Sequence, residues 1–333
     1  MNKPTPHTPI WIMRQAGRYL PQYRAVREKY DFMTMCRTPE IAAEVTLQPV
    51  EIFGFDASII FSDILLIPEA MGMKLQIADS VGPVFDEPLR SANSINNLTA
   101  KCIQDKLNYV YEAVKITKEK LADRVPLIGF SGAPWTLAAY MVEGRGSKNF
   151  ENIKSLIYNH PSDAHKLLEK ITDAVIQHLN GKINAGCDAI QIFDTWGGVL
   201  AKGDFEEFSL RYIKKVVDSI KQRKVPVIVF AKGVRDIKRI SSVDCDVIGI
   251  DWTIDIADAK KEADGKALQG NLDPAVMLSS PEKIKLEARK VLEGFGKGSG
   301  HIFNLGHGIL PSTPVENVRE LVEFVKSESK EFH

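Results

Sequence analysis

The sequence predicts a closed (β/α)8 barrel, and three observations indicate it. Short apolar runs rich in Val, Ile and Phe recur along the 333 residues, and helical patterns separate them. Most of the runs lack polar alternation, which is typical of parallel strands buried on both faces. No Gly/Ser linker or low-complexity block interrupts the alternation. Eight such units favour a closed barrel, and an open doubly wound sheet is the alternative because sequence alone does not show closure.

The predicted strands follow one another along the whole chain. They are PIWIM (9–13), ASIIF (57–61), PLIGF (126–130), AIQIF (189–193), PVIVF (226–230), DVIGI (246–250), ALQG (267–270) and HIFNL (301–305). The seventh run is weak alone, and its assignment depends on the regular spacing of the others. Because a crossover helix returns the chain to the same end of the sheet, we expect all eight strands to be parallel.

Helical patterns fill the intervals between the runs. They cover residues 38–54, 94–123, 161–186, 204–224, 280–296 and 313–329. A Thr–Pro pair opens the first pattern and Gly54 ends it, while Gly186 ends the third. Asp204 is expected to cap the fourth helix, and a Ser–Pro or Thr–Pro pair opens each of the last two.

Composition and charge exclude several classes of protein. The 43 basic and 43 acidic side chains balance, so no overall field indicates binding to nucleic acid or to an anionic membrane. No apolar run is long enough to span a bilayer, and the N-terminus lacks the apolar core of a signal peptide. The four cysteines form no CxxC pair and are expected to be free core thiols. We therefore expect a cytoplasmic protein with a single domain over residues 1–333.

Polar side chains cluster where the predicted strands end, which is where barrel enzymes place their active sites. They are Arg14, Arg18, Ser62, Asp63, Asp194, Thr195, Lys232, Asp251 and His307. Each has an ordinary structural explanation when taken alone, such as a solvated arginine or an Asp helix cap. Their convergence on one rim predicts a functional site. Lys232 remains open as a Schiff-base nucleophile, whereas the phosphate-loop, HExxH and GxSxG motifs are absent from the sequence.

Longer motifs connect this rim to a known family. The two segments PIWIMRQAGRYLPQYR (9–24) and GFSGAPWTLAAYMVEG (129–144) resemble the signature segments of the uroporphyrinogen decarboxylase family. Further matches occur in family order at FSDIL (61–65), VPLIGF (125–130), GIDWT (249–253), LQGNLDP (268–274) and NLGHGI (304–309). The resemblance extends from about residue 8 to the C-terminus.

This resemblance implies a fold, an activity and a partner. Members of the family are single-domain (β/α)8 barrels and commonly homodimers with facing clefts. They convert uroporphyrinogen to coproporphyrinogen, because each of its four acetate arms loses carbon dioxide and becomes a methyl group. The resemblance also implies that no metal or organic cofactor takes part.

The resemblance implies the site residues as well. The expected substrate-binding residues are Arg14, Gln15, Ala16, Gly17, Arg18, Asp63, Tyr140, Thr195 and His307. Asp63 matches the central aspartate that meets the pyrrole N–H groups, and Asp63 and Arg14 are the expected catalytic residues. Thr195 stands where some members have serine, and both residues offer one hydroxyl. The identity of the ring's proton donor stays open, because arginine is a poor acid.

The chemistry of these side chains adds three expectations. Arg14 and Arg18 are suited to binding carboxylates through two parallel hydrogen bonds, with Arg24 or Arg27 assisting. Gly17 is expected to let their loop bend. His307 is expected to titrate near neutral pH and to make substrate binding pH-dependent.

Two other functions remain as alternatives. A related barrel methyltransferase would bind zinc through histidine and cysteine near the rim, and Cys245 is the cysteine considered for that role. A tetrapyrrole carrier would bind the same ligand without changing it.

Overall fold

The computed structural model describes residues 5–78, 82–222 and 224–332, and its main sheet is parallel. The strands of this sheet follow the order β1-β4-β5-β6-β7-β8-β9. A separate antiparallel hairpin is formed by β2 and β3. The bounds are β1 Ser58–Ile59, β2 Leu75–Ala78, β3 Gly82–Phe85, β4 Leu127–Gly132, β5 Ala189–Asp194, β6 Val227–Ala231, β7 Val247–Gly249, β8 Ala267–Leu272 and β9 His301–Leu305.

The segment around Ile10 closes the barrel between its first and last strands. Phe303 N–H donates to the Pro9 carbonyl (2.8 Å) and Trp11 N–H to the Phe303 carbonyl (3.3 Å), which joins the segment to β9. On its other side, Asp56 N–H donates to the Ile10 carbonyl (2.9 Å), just before β1. The predicted (β/α)8 barrel is thereby confirmed.

The first predicted strand, 9–13, is longer than the one observed. Only Ile10 forms a ladder bridge, and its partner is Phe303. Pairing stops after Trp11 because side chains take the next backbone donors. Ile12 N–H donates to Gln15 Oε1 (3.2 Å) and Met13 N–H to Asn304 Oδ1 (3.0 Å). The chain therefore leaves the sheet at the point where the arginine-bearing loop begins.

The helices surround this barrel. Short 3-10 turns cover Gly197–Val199, Pro274–Leu278 and Ser329–Phe332, and a π-helical turn covers Glu206–Leu210. The α-helices are α1 Pro21–Lys29, α2 Phe32–Arg37, α3 Pro39–Phe53, α4 Leu66–Ala70, α5 Ala92–Asn97, α6 Ile103–Lys106, α7 Asn108–Leu121, α8 Pro134–Glu143, α9 Glu151–Asn159, α10 Pro161–Ala185, α11 Lys202–Phe205, α12 Arg211–Lys221, α13 Ile237–Ser241, α14 Ile256–Glu262, α15 Pro281–Phe295 and α16 Val315–Glu328.

Three helix predictions need correction. The pattern 94–123 forms α5, α6 and α7 rather than one helix. Cys102 adopts left-handed backbone (φ 57°) just before α6, and the non-helical Leu107 separates α6 from α7. Asp204 does not cap the following helix, which begins earlier at Lys202, and its carboxylate accepts the Tyr158 hydroxyl (2.8 Å) instead. The last helix begins at Val315 with Pro314 at its N-cap position, so Thr313 lies outside it and no side chain caps it.

Buried apolar side chains from several strands fill the barrel interior. Trp11, Ile59, Ile128 and Phe230 belong to one buried apolar cluster. Polar side chains cross the same interior, since Trp11 Nε1–H donates to Gln269 Oε1 at 3.0 Å. The rest of the barrel wall packs against the helices in a second, larger core.

The four cysteines are free, in agreement with the sequence. Cys102 is exposed, however, so it is not the core thiol that was expected. Within the described ranges, no helix combines the length and apolar character needed to cross a bilayer.

Candidate active site

One cavity of about 330 Å³ lies at the C-terminal ends of the barrel strands, on the predicted rim. Its lining combines charged, polar and aromatic side chains. Among the predicted site residues it contains Arg14, Ala16, Gly17, Arg18, Asp63, Thr195 and His307. Residues far apart in the chain thus meet here, because parallel strands all end at the same face of the barrel.

Two predicted site residues do not line this cavity. Gln15 is fully buried and braces the loop, with its Nε2 donating to the Ala57 carbonyl (3.2 Å) and its Oε1 accepting from Ile12 N–H (3.2 Å). Tyr140 lies on α8, where its ring centroid is 5.9 Å from that of Trp196. Burial raises the pKa of the Tyr140 hydroxyl, and the charges of Asp63 and Arg14 also act on it.

The loop after the first strand exposes two arginines to the cavity. Among the described residues, neither Arg14 nor Arg18 forms an ion pair with a carboxylate, so both guanidinium groups are available to a ligand. Arg24 instead stabilises the loop backbone, because its Nη1 donates to the carbonyls of Arg18 and Tyr19, both at 2.9 Å. Arg27 similarly binds the Tyr30 carbonyl (2.8 Å). Neither Arg24 nor Arg27 lines the cavity, contrary to the expectation that one would assist.

The bend in this loop lies at Arg14 rather than at Gly17. Arg14 adopts φ 64°, a left-handed conformation that is uncommon for a residue with a side chain. Gly17 is needed for space instead, since a Cβ there would lie 2.8 Å from the Arg14 carbonyl oxygen. The expected role of Gly17 is therefore corrected from flexibility to close packing.

Asp63 follows β1 and contacts both the cavity and the local backbone. Its Oδ1 accepts Leu65 N–H at 2.7 Å, a local turn contact. Asp63 is not the helix cap that its position also suggested, because Leu65 occupies the N-cap position of α4 and no side chain caps that helix. Burial raises the pKa of this carboxyl group, while the Leu65 hydrogen bond and the positive charge of Arg14 oppose that rise. An acidic group in such a place is suited to stabilising a cation in the cavity.

His307 differs from its expected behaviour. Burial, together with the positive charges of Arg14 and Lys232, lowers the pKa of its imidazole to about 3. The ring is therefore neutral near pH 7, and the prediction that it titrates there was wrong. A neutral imidazole still offers one N–H donor and one acceptor to a ligand.

The remaining polar residues of the rim support the structure. Asp194 is fully buried and accepts the hydroxyls of Thr136 and Ser209, each at 2.6 Å, while burial raises its pKa to about 6. Asp251 accepts the backbone N–H groups of Gly233 and Thr253. Lys232 lies with Nζ 5.7 Å from the Trp252 ring centroid and does not line the cavity.

Much of the cavity lining is apolar or aromatic, and the sequence did not reveal it. Phe130 and Phe193 face each other edge-on, with ring centroids 5.7 Å apart. Ser62 also lines the cavity, and its buried Oγ has no hydrogen-bond partner among the described residues. The other lining residues include Tyr19, Tyr23, Phe32, Ile59, Phe61 and Ile309. Their only sequence signal was that several occupy inward-facing positions of strands already predicted.

The donor set for zinc that a methyltransferase relative would need is not assembled here. In the described part of the chain, no three His, Cys, Asp or Glu side chains are grouped to bind a metal ion. Cys245 precedes β7 whereas His307 follows β9, so the two lie at opposite ends of the barrel.

Comparison with known proteins identifies the family. The model of the family described as uroporphyrinogen decarboxylase (URO-D) matches residues 1–328. The chain belongs to the uroporphyrinogen decarboxylase family. A uroporphyrinogen decarboxylase of Chloroherpeton thalassium is 54% identical over 338 residues, which cover 99% of this chain and 96% of that protein. One from Coxiella burnetii is 50% identical over 334 residues, covering 98% and 92% respectively.

A solved structure shares the fold of this family member at lower identity. A methyltransferase from Methanosarcina mazei superimposes with a TM-score of 0.80 and 21% identity, covering 97% of this chain and 94% of that one. This likeness supports the barrel architecture alone.

Proposed function

We propose that this protein is a uroporphyrinogen decarboxylase that converts uroporphyrinogen III to coproporphyrinogen III in tetrapyrrole biosynthesis. One observation carries the proposal: a cavity on the barrel rim combines the Asp63 carboxyl group with two arginines that lack carboxylate partners among the described residues. Uroporphyrinogen carries eight carboxylates around a ring of four pyrrole N–H groups. The carboxylates on its periphery therefore need guanidinium groups as partners, and the N–H groups at its centre need a hydrogen-bond acceptor.

The reaction needs an electron sink, and the pyrrole ring itself supplies one. Protonation of the ring carbon next to nitrogen gives a cationic ring. The bond between the acetate methylene and its carboxylate then breaks, carbon dioxide leaves, and the bonding electrons flow into the ring. Protonation of the resulting exocyclic methylene gives the methyl group and restores the cationic ring, which returns to pyrrole by losing the ring proton.

Asp63 stabilises this cation from beneath the ring. Its ionised carboxylate accepts the pyrrole N–H groups and balances the positive charge that develops on them. A fixed charge in a site that excludes water contributes about 3–4 kcal/mol to transition-state stabilisation. Arg14 acts beside it, since the two groups already influence each other electrostatically in the free protein.

The other residues bind and orient the carboxylate arms. Arg14 and Arg18 bind carboxylates through two parallel N–H···O bonds. Thr195 donates its hydroxyl and His307 its neutral N–H, while the Tyr140 hydroxyl on α8 is a further donor for a carboxylate arm. Gln15, Ala16 and Gly17 shape the loop on which the arginines lie.

Four further properties belong to the same proposal. The reaction proceeds without a metal or organic cofactor, and the protein acts in the cytoplasm as a homodimer with facing clefts. The chain forms one domain over residues 1–333. Sedimentation equilibrium at micromolar concentration tests the dimer directly, since it separates the mass of one chain from that of two.

The function is tested by anaerobic incubation with uroporphyrinogen, followed by chromatography of the product. Coproporphyrinogen as the product supports the proposal. Bound but unchanged uroporphyrinogen contradicts it and favours a tetrapyrrole carrier. Stoichiometric zinc in the purified protein, together with absent turnover, favours a methyltransferase relative.

A further inference from the structure

The side chain of Arg14 runs directly across Gly308. A Cβ built on Gly308 would collide with Arg14 Cδ and would lie 2.9 Å from its Cγ and 3.0 Å from its Nε. Real Cβ atoms essentially never come closer than about 3.0 Å to another heavy atom. The missing side chain at Gly308 therefore provides the space through which Arg14 reaches the cavity.

The backbone on either side of this crossing is tied together. Ile309 N–H donates to the Met13 carbonyl at 3.0 Å, and Met13 N–H donates to Asn304 Oδ1 at 3.0 Å. Asn304 is almost fully buried. The N–H of Met13 is thus held by Asn304 of β9 and its carbonyl by Ile309 after β9. The backbone before Arg14 therefore cannot shift away from Gly308 as a whole.

We propose that Gly308 is a positioning residue for substrate binding, because it sets the path of the Arg14 side chain and hence the place of the guanidinium over the cavity. The inference rests on the proposed function, in which Arg14 binds a substrate carboxylate. Arginine has considerable rotamer freedom, and a held guanidinium gives up less of it when the two-pronged contact forms. Gly308 therefore acts on substrate affinity and orientation through Arg14 alone.

The geometry separates this role from a need for glycine in the backbone. Gly308 does not adopt a left-handed φ, so alanine fits its backbone conformation. The three atoms nearest to the added Cβ all belong to Arg14. The effect of Gly308→Ala is consequently expected to fall on Arg14 and to leave the fold intact.

A double-mutant cycle tests the inference. The ratio kcat/KM for uroporphyrinogen is measured for the unmodified protein, Gly308→Ala, Arg14→Ala and the double variant. We expect Gly308→Ala to lower kcat/KM by about 10- to 100-fold when Arg14 is present, because a misplaced guanidinium misaligns the substrate. In the Arg14→Ala background the same substitution is expected to change it less than about twofold. Gly203→Ala is the matched control, since open space surrounds a Cβ at that position.

Equal losses in the two backgrounds would overturn the inference, since they would show that Gly308 acts independently of Arg14. No loss in either background would also overturn it. A crystal structure of Gly308→Ala gives a second readout that needs no activity: we expect Arg14 to be displaced while the barrel superimposes unchanged, and an unmoved Arg14 contradicts the inference. If the unmodified protein does not turn over uroporphyrinogen, the proposed function fails, and the crystal structure still decides the positioning role.

Discussion

Asp63 contacts both the local backbone and the cavity. It forms a local backbone contact with Leu65 N–H and also lines the cavity next to Arg14. Burial makes its ionised form costly, and the nearby positive charge offsets part of that cost. A cationic substrate ring next to Asp63 would offset the rest of the cost of burying its ionised carboxylate. This is the electrostatic basis of the proposed mechanism.

Substitution of Asp63 tests this role. Asp63→Asn keeps the shape and an acceptor for Leu65 N–H but removes the negative charge. We expect kcat to fall by about 100- to 1,000-fold, the usual range for loss of one preorganised electrostatic contact. Turnover is measured anaerobically, and far-ultraviolet circular dichroism checks the fold. Near-normal turnover in a folded variant would refute the assigned role.

His307 makes the stability of the protein pH-dependent. Its folded pKa is lowered from 6.5 to about 3, so between these pH values the unfolded chain binds a proton that the folded protein does not. Stability therefore falls as the pH decreases through this window, by at most about 1.4 kcal/mol per pH unit. We expect His307→Gln to remove about 1 kcal/mol of the stability difference between pH 7 and pH 5.5. Urea unfolding at both pH values measures it, and an unchanged difference would contradict the burial of a neutral ring.

The sequence predicted which residues stand at the rim but not how their side chains are directed. Asp63, Thr195 and His307 were found because each follows an apolar run, and strand ends meet at one face. Gln15 does not line the cavity although its neighbours Arg14 and Ala16 do, because its own side chain turns back into the protein. The lowered pKa of His307 depends on burial and on charges from other parts of the chain, which no local pattern contains.

At the scale of elements, α10 contains a glycine in a tight contact. A Cβ on Gly181 would lie 2.6 Å from Tyr111 Cε1 and 2.8 Å from its hydroxyl oxygen. The ring has little freedom to retreat, because the Tyr111 hydroxyl is hydrogen-bonded to His178 Nδ1 (3.0 Å) in the buried interface between α7 and α10. The glycine thus serves helix packing at the expense of helix propensity.

This contact predicts the sign of a helix substitution. Gly181→Ala gains about 1 kcal/mol of helix propensity, yet we expect overpacking to destabilise the protein by about 1–3 kcal/mol overall. Gly203→Ala on α11 is the matched helical control, with nothing within 4 Å of its added Cβ, and should be neutral or slightly stabilising. Guanidinium unfolding measures both. A stabilised Gly181→Ala variant would show that Tyr111 moves aside freely.

Helix bounds could be predicted where the sequence carries its own stop and start signals. The helices α3 and α10 are each followed by a C-cap glycine in left-handed conformation, Gly54 and Gly186, as their sequences indicated. The segment 94–123 was misread because its break at Cys102 uses an uncommon backbone conformation without glycine or proline. The β2–β3 hairpin was also missed, since it adds an antiparallel pair outside the repeating strand–helix pattern.

In the whole molecule, the alternation of strands and helices was sufficient to predict the barrel. It did not predict how the segment around Ile10 joins the first and last strands. Closure depends on three backbone hydrogen bonds around Ile10, together with Ile10 N–H donating to the Asp56 carboxylate at 2.9 Å. Because the first strand stops pairing after Trp11, the loop that contains Arg14 and Arg18 begins at the C-terminal end of the barrel strands. The cavity is consequently formed by the ends of several strands, which gives the site its preorganised geometry.

Cofactor-independent decarboxylation is tested most simply by counting the carboxylates left on uroporphyrinogen after anaerobic turnover by chelator-treated, metal-free protein. Mass spectrometry of the products counts them without assuming a mechanism. We expect the eight carboxylates to fall to four, with carbon dioxide released from the acetate arms and no metal required. A product that retains all eight, or turnover that returns only when a metal is added back, would contradict it.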